Sequence, residues 1–163
     1  MKNTKEHILS LLSEIPDPEI PVITIIELGV IRDIDITDDN SISLKITPTY
    51  SGCPAMKQIE DDVRKKLSEN GFTNITINTI FSPPWTTDWI TPEAKEKLRI
   101  YGIAPPEHST EDKSWLTGKN KSIACPRCKS QNTKLISQFG STACKALYQC
   151  QDCLEPFDYF KCI

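Results

Sequence analysis

The sequence predicts a small α/β domain followed by a cysteine-rich ribbon that binds metal, and three observations carry that prediction. Over about the first hundred residues, apolar positions switch between helical spacing and strict alternation. Proline-rich loops separate these segments. Two Cys-x-x-Cys pairs, Cys125/Cys128 and Cys150/Cys153, stand near the end of the chain.

The elements follow in order. Residues 5–13 read as a helix, because Ile8, Leu11, Leu12 and Ile15 recur at helical spacing until Pro16 and Pro18 end it. The segment Pro16-Asp-Pro-Glu-Ile-Pro21 is expected to be an extended loop, since each proline disfavours the α region for its predecessor. Residues 30–36 and 41–47 read as strands. In the second, Ile42, Leu44 and Ile46 alternate with Ser43, Lys45 and Thr47, and Asp38-Asp-Asn40 between the strands predicts a hairpin turn. The loop Thr47-Pro-Thr-Tyr-Ser-Gly-Cys-Pro54 leads into a helix with Met56, Ile59, Val63 and Leu67 as its apolar stripe, stopped at Asn70-Gly71. Residues 74–81 alternate as a third strand through Ile75 and Ile77. After a proline-punctuated loop at 82–89, Thr91 caps a short helix with Pro92 at its first position, and Gly102 ends it.

Residues 103–122 show no clear period, so the expected division is a domain at 1–102, a linker at 103–123 anchored by Trp115 and Leu116, and a ribbon at 124–163. A chain of 163 residues has room for a small domain plus such a mini-domain. Its net charge of −3 and pI near 5.4 argue against a general nucleic-acid or membrane-surface binder. No apolar run reaches the length of a membrane span, and the first residues do not read as a signal peptide, so the expected location is cytoplasmic. His7 and His108 lie far apart and far from the cysteines, which argues against histidine-based metal chemistry.

In a reducing compartment, clustered cysteines are read as metal ligands before disulfides. The two Cys-x-x-Cys pairs are separated by 21 residues, enough for two strands, at 133–138 and 144–149, and a third strand can follow at 155–161. Two such turns present four sulfurs to one ion, a closed tetrahedral site of the zinc-ribbon kind at Cys125, Cys128, Cys150 and Cys153. Iron accepts the same four thiolates and stays open as an alternative. A redox pair and plain core cysteines are the competing readings. Cys144 and Cys162 are left over, either as small buried hydrophobes or as neighbours of the site that allow ligand exchange or a cluster. Five basic residues of the ribbon (Arg127, Lys129, Lys134, Lys145, Lys161) outnumber three acidic ones (Asp152, Glu155, Asp158) by two, too small a surplus for a nucleic-acid surface. Tyr148, Phe157, Tyr159 and Phe160 are expected to form the mini-core.

Outside the ribbon, Cys53 precedes a helix whose first residues are Pro54 and Ala55. Unpaired N–H groups there favour a thiolate, so its pKa is expected to be lowered, and Ser51-Gly52 is expected to let the backbone approach a ligand closely. The competing reading is a buried structural cysteine; no histidine stands nearby as a base. Asp17 and Glu19 form a paired-carboxylate candidate for a metal or a basic partner, against a solvated loop. Asp88 is a similar candidate, against a turn cap beside packing residues Trp85 and Trp89.

The segments Asp17-Pro-Glu-Ile-Pro-Val22, Ile26-Glu-Leu-Gly-Val-Ile31 and Thr47-Pro-Thr-Tyr-Ser-Gly-Cys-Pro-Ala55 resemble the small domain of SufT-type and eukaryotic cytosolic iron–sulfur assembly proteins. With Ser82-Pro-Pro-Trp-Thr-Thr-Asp-Trp-Ile90, Phe139-Gly-Ser-Thr-Ala-Cys-Lys-Ala-Leu-Tyr148 and Glu155-Pro-Phe-Asp-Tyr-Phe-Lys-Cys162, the whole chain except 103–122 resembles the PaaD (PaaJ) family of phenylacetyl-CoA epoxidase accessory subunits. The resemblance implies an α/β domain of iron–sulfur assembly type followed by a zinc ribbon. It implies aerobic phenylacetate catabolism, with the oxygenase and reductase subunits of the epoxidase as partners. The implied role is non-catalytic: assembly or maturation of an iron–sulfur or di-iron centre, or structural docking alone. The implied cofactors are structural zinc and a transient iron or iron–sulfur cluster. In the assembly proteins the cysteine matching Cys53 is reactive, and the residues matching Asp17 and Glu19 lie in the motif loop beside it. SufT-type proteins lack the ribbon, so that broader family does not explain the four C-terminal cysteines.

Overall fold

The computed structural model describes residues 4–37, 41–107 and 122–161. Helix α1 spans Lys5–Leu12, started by Thr4, whose hydroxyl accepts the His7 N–H at 3.3 Å. Ile8, Leu11 and Leu12 turn inward. The loop that follows is not simply extended: Pro16 bridges Thr24 in antiparallel sense, and the backbone bends at Pro18 and Glu19.

Strands β1 (Ile31–Ile36) and β2 (Ser41–Ile46) pair antiparallel as the hairpin reading requires, with Ile34 opposite Leu44 and Ile36 opposite Ile42. The turn itself, 38–40, lies outside the described residues. Ile42, Leu44 and Ile46 are buried, and the polar positions between them face the other side. Helix α2 (Ala55–Glu69) then carries the chain across to β3 (Asn74–Thr79), which pairs parallel to β2. A parallel neighbour needs such a crossover, and this one completes a sheet ordered β1-β2-β3. The buried row of α2 is Ala55, Ile59, Val63 and Leu67, so Ala55 takes the place expected for Met56, which is only half-buried. Asn70 caps the helix and Gly71 follows at φ +90°, the left-handed conformation that favours glycine.

The chain separates into two compact units, Met1–Trp85 and Thr86–Ile163. A 3₁₀ turn at Thr87–Trp89 opens the second unit, and helix α3 (Pro92–Tyr101) follows. The Thr91 hydroxyl accepts the Ala94 N–H at 3.1 Å, and Gly102 closes α3 at φ +98°. Strand β4, Ile103–Ala104, pairs parallel with β7 (Pro156–Phe160). Strands β5 (Thr133–Ser137) and β6 (Lys145–Cys150) complete a sheet ordered β4-β7-β6-β5. Helix α3 and strand β4, read from sequence with the first domain and the linker, thus fall within the second unit. Two residues read as linker are sheet edge, because pairing with a strand more than fifty residues later leaves no local signature. His108, Trp115, Leu116 and Cys162 lie outside the described residues.

One face of this sheet gathers a small core of Ala104, Ile123, Cys125, Ala146, Tyr148, Cys150 and Phe157. Tyr148 stacks on Phe157 with ring centres 5.9 Å apart and meets Tyr159 edge-on at 5.8 Å. Phe160 is buried too, but strand alternation places it on the opposite face from Tyr159. Among the described residues, no helix is long and apolar enough to cross a membrane.

Candidate functional site

Cys53 sits at the end of a tight turn. Its N–H donates to the Tyr50 carbonyl at 3.3 Å, and Gly52 stands at φ +79° inside the turn. A Cβ on Gly52 would meet nothing within 4 Å, so the glycine answers to its backbone angle and not to a close approach from within the protein. The Cys53 carbonyl accepts the Met56 N–H at 3.3 Å, which fixes the turn to the start of α2.

The expected lowering of the Cys53 pKa is overturned. Burial is the largest influence and pushes the thiol up. The Ala55 N–H at the helix start and the Tyr50 hydroxyl pull down, as a helix N-terminus should, but the Glu19 and Asp17 carboxylates add to the rise. A single backbone donor does not outweigh desolvation plus two negative charges. Tyr50 is a member of the site that sequence reasoning misses, although its place at the first corner of the turn that ends on Cys53 is a usable signal.

Asp17 is 5 % exposed, so the solvated-loop reading does not hold for it. Its Oδ1 accepts the N–H groups of Glu19 at 2.9 Å and Ile20 at 2.8 Å, and its own N–H donates to the Ile23 carbonyl at 2.8 Å. These bonds make the bend at Pro18 and Glu19. The two carboxylates are therefore not a parallel pair on an extended strand: Asp17 points inward while Glu19 is half-buried. Both still act on Cys53, and the three share one electrostatic neighbourhood.

Asp88 belongs to the second compact unit and is exposed. Thr86, not Asp88, caps the 3₁₀ turn, its hydroxyl accepting the Asp88 N–H at 3.1 Å. Trp85 is buried with its Nε1–H donating to the Leu28 carbonyl at 2.9 Å, which fits a packing role.

The second cysteine site is built by two turns of the same design. The sulfurs of Cys125, Cys128, Cys150 and Cys153 all lie within 4.8 Å of one another. Cys125 Sγ is 3.8 Å from Cys153 Sγ, and Cys128 Sγ is 3.5 Å from Cys150 Sγ. Four sulfurs placed tetrahedrally about 2.3 Å from zinc would stand roughly 3.8 Å apart, so the donor set and its spacing fit the ion. Backbone N–H groups point at the sulfurs: Ser130 toward Cys128, Glu155 toward Cys153, and Cys153 and Asp152 toward Cys150. These backbone donors carry no sequence signal. The N–H of Cys153 leads in lowering the Cys150 thiol to about 7. At Cys153 the Glu155 N–H favours the thiolate, but desolvation and the crowding sulfurs push it up to about 12. Four thiols this close cannot all ionise without a cation between them. Each turn ends on a non-glycine residue in the left-handed region, Lys129 at φ +64° and Leu154 at φ +65°. Cys144 is 3 % exposed, as a buried small residue would be, with its sulfur 3.0 Å from the Thr142 hydroxyl.

Comparison with known proteins bears on both sites. Over 158 residues, 96% of this chain and 92% of the other, it is 51% identical to an Escherichia coli protein named as a subunit of 1,2-phenylacetyl-CoA epoxidase. The chain belongs to the PaaD family. Residues 109–161 match the family described as the PaaD zinc beta ribbon domain, and residues 5–75 match the family described as iron-sulfur cluster assembly protein. The PaaD-type chain is also 35% identical over 97 residues to a Bacillus subtilis Fe-S protein maturation auxiliary factor, covering 59% of this chain and 94% of that one. Two solved structures resemble it: a domain of unknown function from Bacillus anthracis (32% identity, TM-score 0.56, 59% of this chain and 92% of that chain), and a conserved hypothetical protein from Thermotoga maritima (33% identity, TM-score 0.52, 60% and 95%). The architecture is therefore the mixed α/β one expected, an iron–sulfur assembly domain followed by a zinc-ribbon domain, as in the PaaD family.

Proposed function

We propose that this chain is a non-catalytic accessory protein that helps assemble or repair a metal centre of a phenylacetyl-CoA epoxidase, with Cys53 as the residue that contacts iron or a cluster transiently. The observation that carries the proposal is the setting of Cys53. A thiol held protonated by burial and by Glu19 and Asp17 is a poor free nucleophile at neutral pH. The same carboxylates that oppose a bare thiolate favour a cation beside it, which trades places with the thiol proton. Kinship with Fe-S maturation auxiliary factors over the same part of the chain supports this reading. The four ribbon cysteines hold zinc in a structural role, and the ribbon gives a docking face for the oxygenase or reductase subunits in the cytoplasm. Asp17 and Glu19 support Cys53.

The test is Cys53→Ser co-produced with the epoxidase subunits. The variant is expected to keep its fold and its own metal while iron or cluster content in the partner falls by about half or more. Full metallation of the partner would sink the proposal. A second reading, structural docking alone, draws on kinship to a protein named as an epoxidase subunit. It predicts a stable stoichiometric complex that is indifferent to the Cys53 change, so a pull-down of both forms separates the two.

A further inference from the structure

The four-cysteine site is not symmetric with respect to solvent, and the asymmetry has a chemical consequence. Cys125 and Cys150, the first cysteine of each pair, are 1 % and 0 % exposed and belong to the ribbon's apolar cluster. Cys150 is the last residue of β6, and Cys125 follows buried Ile123, whose N–H donates to the Thr133 hydroxyl of β5 at 3.1 Å, so both are tied to the body of the unit. Cys128 and Cys153, the second of each pair, are exposed. The residues that follow them, Lys129 and Leu154, hold left-handed backbone angles and are exposed as well. Every residue from 151 to 156 is exposed, so this stretch of the second turn folds no buried side chain over its outer sulfur. Each turn thus contributes one anchored and one outward cysteine.

Resting on the reading of these four cysteines as metal ligands, we infer that the site is one-sided: Cys128 and Cys153 form an exchange face at which an incoming thiol can displace a ligand, while Cys125 and Cys150 stay fixed to the core. The exchange balances without oxidation. The incoming thiol gives its sulfur to the ion and its proton to the displaced cysteine, one metal–sulfur bond forms as another breaks, and four sulfurs are kept throughout. Displacing Cys125 or Cys150 instead would require opening the apolar cluster that contains Ala146, Tyr148 and Phe157. The ligand class is a soft, thiol-bearing one, either a small thiol or a cysteine of a partner protein. The ribbon would then be able to hand over or accept its ion, not only to hold it.

The experiment uses the full-length protein carrying one equivalent of zinc by elemental analysis. Limiting N-ethylmaleimide is added at neutral pH and each cysteine is quantified by mass spectrometry, with buried Cys144 as the slow reference. Zinc release is followed with a colorimetric chelator over a range of glutathione concentrations. Cys128 and Cys153 are expected to react about tenfold or more faster than Cys125 and Cys150, and release is expected to accelerate in proportion to glutathione. Equal reactivity of all four at the rate of ribbon opening by hydrogen exchange would overturn the inference, as would release indifferent to glutathione. A protein that takes up no stoichiometric metal at all would overturn the ligand reading beneath it, so the two failures are distinguishable.

Discussion

Cys53 and the ribbon cysteines are the same side chain in opposite surroundings. Cys53 is positioned by a turn between strand β2 and helix α2, and the groups that act on it are a hydroxyl, one backbone N–H and two carboxylates. The ribbon cysteines are held by two short turns over a core of seven buried residues, and their neighbours are one another. The first arrangement raises the pKa of a single thiol and so disfavours its bare thiolate. The second gathers four sulfurs that need a cation to coexist. A helix N-terminus by itself therefore says little about a cysteine's pKa; what else faces the sulfur decides the sign.

The largest expected effect is on the ribbon alone. Stripping the metal with a strong chelator should unfold residues 124–163, a loss on the order of 10 kcal/mol of apparent stabilisation, while amide signals from β1, β2 and α2 stay in place. A ribbon whose NMR pattern survives chelation would break the contrast. Next in size is Asp17→Ala, which strips the acceptor from the Glu19 and Ile20 N–H groups next to a buried loop. It should cost about 2–3 kcal/mol by denaturant unfolding, and Asp17→Asn, which keeps an oxygen, should cost less; equal losses would show that charge, not the acceptor, matters.

Gly140→Ala should destabilise the ribbon by about 1–3 kcal/mol, because the added Cβ would lie 2.5 Å from Asp158 Oδ1. That carboxylate also accepts the Ser141 hydroxyl at 3.1 Å, so it is not free to swing away without cost. Smaller and opposite in sign, Lys129→Gly and Leu154→Gly should each stabilise the metal-loaded ribbon by about 0.5–1 kcal/mol by relieving left-handed strain; a rise in thermal midpoint checks this.

The smallest change is electrostatic. Glu19→Gln removes a negative charge that disfavours the Cys53 thiolate, so the thiol's pKa should fall. Below the alkylation midpoint, Cys53 should then react faster at a given pH, with the midpoint moving down and stability nearly unchanged. A midpoint that moves up would remove Glu19 from the site.

Much of this is legible along the chain. The alternation of Ile42, Leu44 and Ile46, the Thr91–Pro92 start and Gly102 stop of α3, and the two Cys-x-x-Cys pairs are local patterns, and each reports a local structure. The features that sequence misreads have two causes. The pairing of Ile103–Ala104 with β7 and the raised Cys53 pKa depend on groups distant in sequence, whereas Asp17 is held by N–H groups only two and three residues on, in an irregular loop that no period encodes.

Sequence alone determined the α/β-plus-ribbon architecture and the four sulfurs, because spacing within a turn and period within a strand are set by backbone geometry. Only the tertiary structure decided the character of those sulfurs. Burial and Coulomb interactions act through space, so it took the packed chain to bring Cys53 under the influence of the Glu19 and Asp17 charges, and to face Cys128 and Cys153 outward while Cys125 and Cys150 turn to the core.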